Sequence, residues 1–102
     1  MKRPPRLQRV VRTLRAHADD LRRRGVEHAS VFGSVARGED TNESDVDILI
    51  ALDPAARLDA FGYAGILIDL EEWIRRPVQV ARRDKLKPHV RRHALKDEVR
   101  AF

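Results

Sequence analysis

Between positions 7 and 24 the residues Leu7, Val10, Val11, Leu14, Ala18 and Leu21 recur at intervals of three and four, with arginines filling the opposite side. The spacing predicts one amphipathic helix over residues 7–24, stopped by Gly25. Val26–Phe32 reads as a short strand ending at Gly33, residues 34–38 as a turn or a single helical turn, and residues 39–44 as polar loop. Residues 45–52, DVDILIAL, give the strongest strand signal, and Asp53-Pro54 ends it because proline cannot continue a ladder. A second helix is expected over residues 58–75, with Leu58, Phe61, Ile66, Leu70 and Ile74 as its inner face and Trp73 joining Phe61 in the core. Pro77 breaks that helix, and residues 78–81 form a third short strand. The remainder, residues 84–102, has a helical pattern, with Asp84 as its cap and Leu86, Val90, Leu95 and Val99 apolar.

Helix, strand, strand, helix, strand, helix is the order of an α/β (α+β) fold, a small mixed sheet flanked by helices. At 102 residues the chain is expected to form a single domain over positions 1–102. Side chains alternate along a strand, so Val46, Ile48 and Ile50 should face one way and Asp45, Asp47 and Leu49 the other. A buried strand has a use for the first set. The two aspartates need another explanation.

Composition narrows the setting. There is no cysteine, which points away from disulfides and thiolate metal centres and toward an intracellular protein. The basic N-terminal stretch lacks the apolar run of a secretion signal, and no segment approaches eighteen consecutive apolar residues, so a cytoplasmic protein with no membrane role is expected. The net charge of +5 and a pI near 10.4 suit a polyanionic partner, whether nucleotide, nucleic acid or acidic protein surface. Nucleic acid is the weaker expectation, because no aromatic side chains are interleaved with the arginines for stacking. His89 and His93, among Lys85, Lys87, Arg91 and Arg92, suit a docking surface better than a cation site.

Asp45 and Asp47 lie two apart on one strand face. Carboxylates so placed repel and raise one another's pKa unless a cation intervenes, and Mg²⁺ is commonly held by one or two carboxylates together with substrate phosphates. Gly33 and Ser34 supply a complementary part: a glycine lets the backbone approach a ligand closely, while a serine hydroxyl and free N–H groups at the start of a helical turn can grip phosphate oxygens. Arg37, one turn on, can add charge to that grip. Ser44 is better placed to brace the turn ahead of Asp45.

Gly33-Ser34, ten intervening residues, then Asp45-x-Asp47 resembles the signature of the DNA polymerase β-like nucleotidyltransferase superfamily. The fuller strings at 32–38, FGSVARG, and 44–47, SDVD, resemble its minimal nucleotidyltransferase branch, and the likeness runs through both main helices to Leu86-Lys87-Pro88. The resemblance implies that Gly33 and Ser34, with Arg37, hold a nucleoside triphosphate and that Asp45 and Asp47 act catalytically as Mg²⁺ ligands. It implies transfer of AMP from ATP to an acceptor, and a HEPN-domain toxin as the partner that this chain would restrain as antitoxin, in some relatives by modifying a tyrosine. The superfamily pattern also has a third acid on the next strand. Here that segment is residues 77–81, PVQVA, and the matching position is Gln79, an amide that can ligate a metal weakly but cannot act as a base. Asp53, Asp69, Glu71 and Glu72 lack the alternation that would aim them at the pair. Two readings follow: an active nucleotidyltransferase, or a fold-retaining antitoxin that works by binding alone. The pattern fixes neither the acceptor nor the oligomeric state, and homo-oligomers are compatible with it.

Overall fold

The computed structural model describes residues 3–102. It contains helices α1 (Pro5–Ala16) and α2 (Ala18–Arg23), strand β1 (Val26–Phe32), helix α3 (Gly33–Arg37), strand β2 (Val46–Leu52), helix α4 (Ala60–Ile74), strand β3 (Val78–Arg82), helix α5 (Pro88–Asp97) and strand β4 (Val99–Arg100). The sheet order is β3-β2-β1-β4. β1 runs antiparallel to both β2 and β4, and β2 runs parallel to β3. The expected mixed sheet flanked by helices is thus observed, with α4 as the crossover that a parallel pair requires.

The strand alternation sorts the core. Val46, Ile48 and Ile50 join Leu7, Val10, Val11, Leu14, Leu21, Val31, Ile66 and Leu70 in the main cluster. Leu49 and Ser30, directly paired across β2 and β1, are also buried but on the opposite side, where α5 packs against β1 and α3 and buries Ala94. That second face also carries Asp47, opposite Gln79 of β3.

Four expectations change. The first helix is two: His17 leaves helical geometry at φ −107°, ψ 13°, and its ring stacks on Trp73 with centroids 3.7 Å apart. Apolar spacing passes straight through this break, so periodicity does not reveal it. The final helix is shorter than residues 84–102. Asp84 sits in a 3₁₀ turn, Arg83–Lys85, paired with Arg82 at 3.0 Å rather than capping a long helix. Pro88 opens α5, where its fixed φ suits the first helical turn. After Glu98 the chain turns extended and pairs with the free edge of β1, its end fixed by Ala101 N donating to Ala29 O at 2.9 Å and Arg15 Nε to Ala101 O at 2.8 Å.

The other two changes concern α4 and β2. Ile66 and Leu70 are buried as expected, but Phe61 is 89% exposed and is not core, while Trp73 is half-buried against the main cluster. Asp59 caps the helix by accepting from Gly62 N at 2.7 Å. β2 starts at Val46, leaving Asp45 immediately ahead of the strand rather than within it.

Candidate functional site

β1 delivers the chain to Gly33 beside β2, with Phe32 opposite Asp47 in the antiparallel register. Gly33 has φ +72°, a left-handed conformation that side chains other than glycine's resist. Its open side faces Asp47: a methyl group at Gly33 would overlap the carboxylate, coming within 3.1 Å of Cγ. Close approach of backbone to carboxylate is what glycine permits here. Ser34 follows in the first turn of α3, which ends at Gly38 in another left-handed conformation, with Glu39 N returning to Ser34 O at 2.9 Å.

Across the sheet, β3 brings Gln79 opposite Asp47 on the other side. Its Nε2 donates to Asp45 Oδ2 at 3.1 Å. The structure therefore gathers Gly33, Asp45, Asp47 and Gln79, as the spacing suggested. Arg37 is near enough to act on Asp47 electrostatically, but its guanidinium is bonded to Glu39 Oε2 at 2.9 Å and Asp97 Oδ2 at 2.8 Å, tying α3 to α5.

Two arginines that drew no attention in the sequence fix the loop between these parts. Arg6, from α1, pairs with Asp40 and donates to Thr41 O and Asn42 Oδ1, each at 3.1 Å. Arg76, between α4 and β3, donates to Thr41 O at 3.1 Å, Asn42 O at 3.2 Å and Ser44 O. Ser44 Oγ accepts from Thr41 N at 2.8 Å, the bracing role expected of it. The contacts of Arg6 and Arg76 span more than thirty residues of sequence, so no local pattern betrays them.

Asp47 is partly buried, and among the described residues nothing donates a hydrogen bond to it. Burial pushes its pKa above the ordinary carboxylate value, the neighbouring Asp45 charge pushes the same way, and Arg37 opposes both. A carboxyl group with a raised folded pKa binds more protons in the native than in the unfolded chain. Stability therefore falls as pH rises from the ordinary carboxylate range through the folded pKa, and the full cost is present at neutral pH. Asp47→Asn is expected to raise the melting temperature at pH 7 by a few degrees, and the gain should vanish as pH falls below about 4. Thermal scans of both proteins across that range test it, and an acid-side gain would contradict the assigned cause.

The same strain bears on metal binding. Two hard oxygen donors, one without a hydrogen-bond donor and destabilised by its neighbour's charge, fit a divalent cation. Among the described residues no group of three or more His, Cys, Asp or Glu could hold a metal. Two carboxylates leave most coordination positions of such an ion to other oxygen ligands.

The nucleotidyltransferase domain model matches residues 14–100. A protein adenylyltransferase, MntA, of Thermococcus cleftensis is 41% identical over 69 residues, which cover 67% of this chain and 64% of that protein. The chain thus spans somewhat under two thirds of that relative's length. A solved structure assigned as a minimal nucleotidyltransferase superposes with a TM-score of 0.68 at 30% identity, covering 87% of this chain and 93% of the other. A toxin–antitoxin crystal structure with AMP-PNP superposes with a TM-score of 0.66 at 16% identity, covering 93% of this chain and 71% of that one, which is a likeness of fold. With the family match running from α1 to β4, the chain is a member of the nucleotidyltransferase domain family.

Proposed function

We propose that the protein is an adenylyltransferase that moves AMP from ATP to a hydroxyl of a partner protein, and that the partner is a HEPN-domain toxin whose tyrosine accepts the group. The observation that carries the reading is the close approach of the Gly33 backbone to Asp47, a partly buried carboxylate with no hydrogen-bond donor among the described residues and with Asp45 beside it. The similarity to a protein adenylyltransferase and to a toxin–antitoxin structure with AMP-PNP supports the choice of nucleotide and the kind of partner.

In this reading Gly33 and Ser34 hold the triphosphate through backbone N–H groups and the serine hydroxyl, and Asp45 and Asp47 hold Mg²⁺. The bound ion supplies charge neutralisation along the phosphates and acidifies the attacking hydroxyl. The acceptor oxygen forms a bond to the α-phosphorus, the bond from that phosphorus to the bridging oxygen breaks, and pyrophosphate departs while the hydroxyl proton passes to solvent. Asp45 and Asp47 orient the reacting groups, and Arg37 stabilises charge from the edge of the site. The reading places the reaction in the cytoplasm. Among the described residues no helix is long and apolar enough to cross a membrane.

The test is incubation of the protein with α-labelled ATP, Mg²⁺ and a HEPN-domain partner. Label is expected on the partner, falling at least about 100-fold in Asp47→Asn, because loss of a positioned catalytic group commonly costs that much. Transfer that survives Asp47→Asn undiminished refutes the assignment. A second reading, an antitoxin acting by contact alone, is favoured by one observation: the third acid position is Gln79, already engaged with Asp45. Stable complex formation with no label on the partner would select it.

A further inference from the structure

Helix α1 and the end of α4 enclose a cavity of about 270 Å³ whose walls include Arg6, Arg9, Thr13, Trp73, Arg75 and Arg76. No acidic residue lines it, and neither do Gly33, Ser34, Asp45 or Asp47 of the candidate transfer site. Four arginines around so small a space bring like charges together, at a cost unless counter-charge is supplied. Only Arg6 has a carboxylate partner, Asp40. Arg76 spends a terminal nitrogen on the neutral carbonyls of Thr41, Asn42 and Ser44, and its buried Nε has no hydrogen-bond partner among the described residues. Arg9 and Arg75 are exposed, and neither has an ion-pair partner among the described residues.

We propose that this cavity is a binding site for a pyrophosphate group, either free or at the end of a nucleotide. A guanidinium fork matches the paired oxygens of a phosphate and binds them with charge assistance, and a cleft lined by one sign of charge concentrates ions of the other. Arg6 and Arg76 are held in position by residues 40–44, so half of the basic wall is in place before a ligand arrives, which lowers the ordering cost of binding. Size limits the ligand. At about 270 Å³ the cavity falls just below the range usual for drug-sized molecules, so it takes a short phosphate chain and not a buried base and sugar as well. A diphosphate offers charge and oxygens to several arginines at once, where a single carboxylate answers one fork. Extended nucleic acid is the weaker occupant, because one face of the aromatic wall, Trp73, is already stacked on His17. Binding here shares no residue with the candidate transfer site and is independent of that reaction.

Trp73 is the single tryptophan of the chain, so its fluorescence reports on this cavity. Titration of the full chain with sodium pyrophosphate, in the presence of chelator and at fixed ionic strength, should change that fluorescence along a saturating curve. Arg9→Gln and Arg75→Gln should each raise the midpoint about tenfold, the usual effect of losing one charge-assisted bond, while leaving the circular dichroism intact because both side chains are exposed. Ser34→Ala should leave the midpoint where it is. ATP in chelator is the second arm: a midpoint equal to that of pyrophosphate assigns the site to a nucleotide's phosphate chain, and a far higher one assigns it to the free anion. The absence of a saturating change overturns the proposal. So does an equal response to sodium chloride, a midpoint indifferent to both arginine variants, one that shifts with Ser34→Ala, or tighter binding of single-stranded RNA than of pyrophosphate.

Discussion

Gln79→Asp is expected to raise the rate of AMP transfer by about 100-fold or more, the contribution usual for a positioned general base. The expectation rests on where the side chain already stands. Gln79 lies opposite Asp47 in the parallel register of β2 and β3, and its amide donates to Asp45 Oδ2 at 3.1 Å. The amide relieves part of the repulsion between the two carboxylates but takes no proton from an acceptor hydroxyl. Exchanging it for aspartate replaces a donor with a third carboxylate, so the metal-free variant should melt lower than wild type at neutral pH. Added Mg²⁺ should narrow or reverse that difference. Transfer assays and melting curves with and without Mg²⁺ measure both effects. An unchanged rate in Gln79→Asp, with transfer still abolished by Asp47→Asn, would show that the amide does not limit the reaction.

How much of this could be read from the chain depends on the range of the forces involved. Alternation in β2 is a local consequence of pleating, so the separation of Val46, Ile48 and Ile50 from Asp47 and Leu49 follows from sequence and is found in the structure. The meeting of Gly33 with Asp47 was readable only as a spacing, because its cause is a hairpin register between β1 and β2. The grip of Arg6 and Arg76 on residues 40–44 was invisible. An arginine that serves backbone carbonyls more than thirty residues away looks like any surface arginine. The tail failed for the opposite reason. Its apolar residues fit helical spacing well, and β4 forms only because β1 has an unpaired edge that the chain end can satisfy. Phe61 is apolar yet exposed, because apolar character does not by itself place a residue in the core.

Gly33→Ala is expected to destabilise the fold by about 2–4 kcal/mol and to reduce transfer to below about 1% of wild type in protein that remains folded. Two costs combine. At φ +72° a side chain is strained whatever surrounds it, and the added methyl group must displace the Asp47 carboxylate. The second cost reaches function, because moving Asp47 disturbs the metal-holding pair and the phosphate approach together. Gly38→Ala separates the two. Gly38 has nearly the same dihedral, φ +74°, and its added methyl group would press on Pro4 Cγ at 2.7 Å rather than on either carboxylate. It should therefore lose comparable stability yet keep most of its transfer activity. Denaturant unfolding gives the first quantity and labelled transfer under folded conditions the second. Equal losses of transfer in both variants would mean that the turn's stability, and not the contact between Gly33 and Asp47, is what the reaction needs.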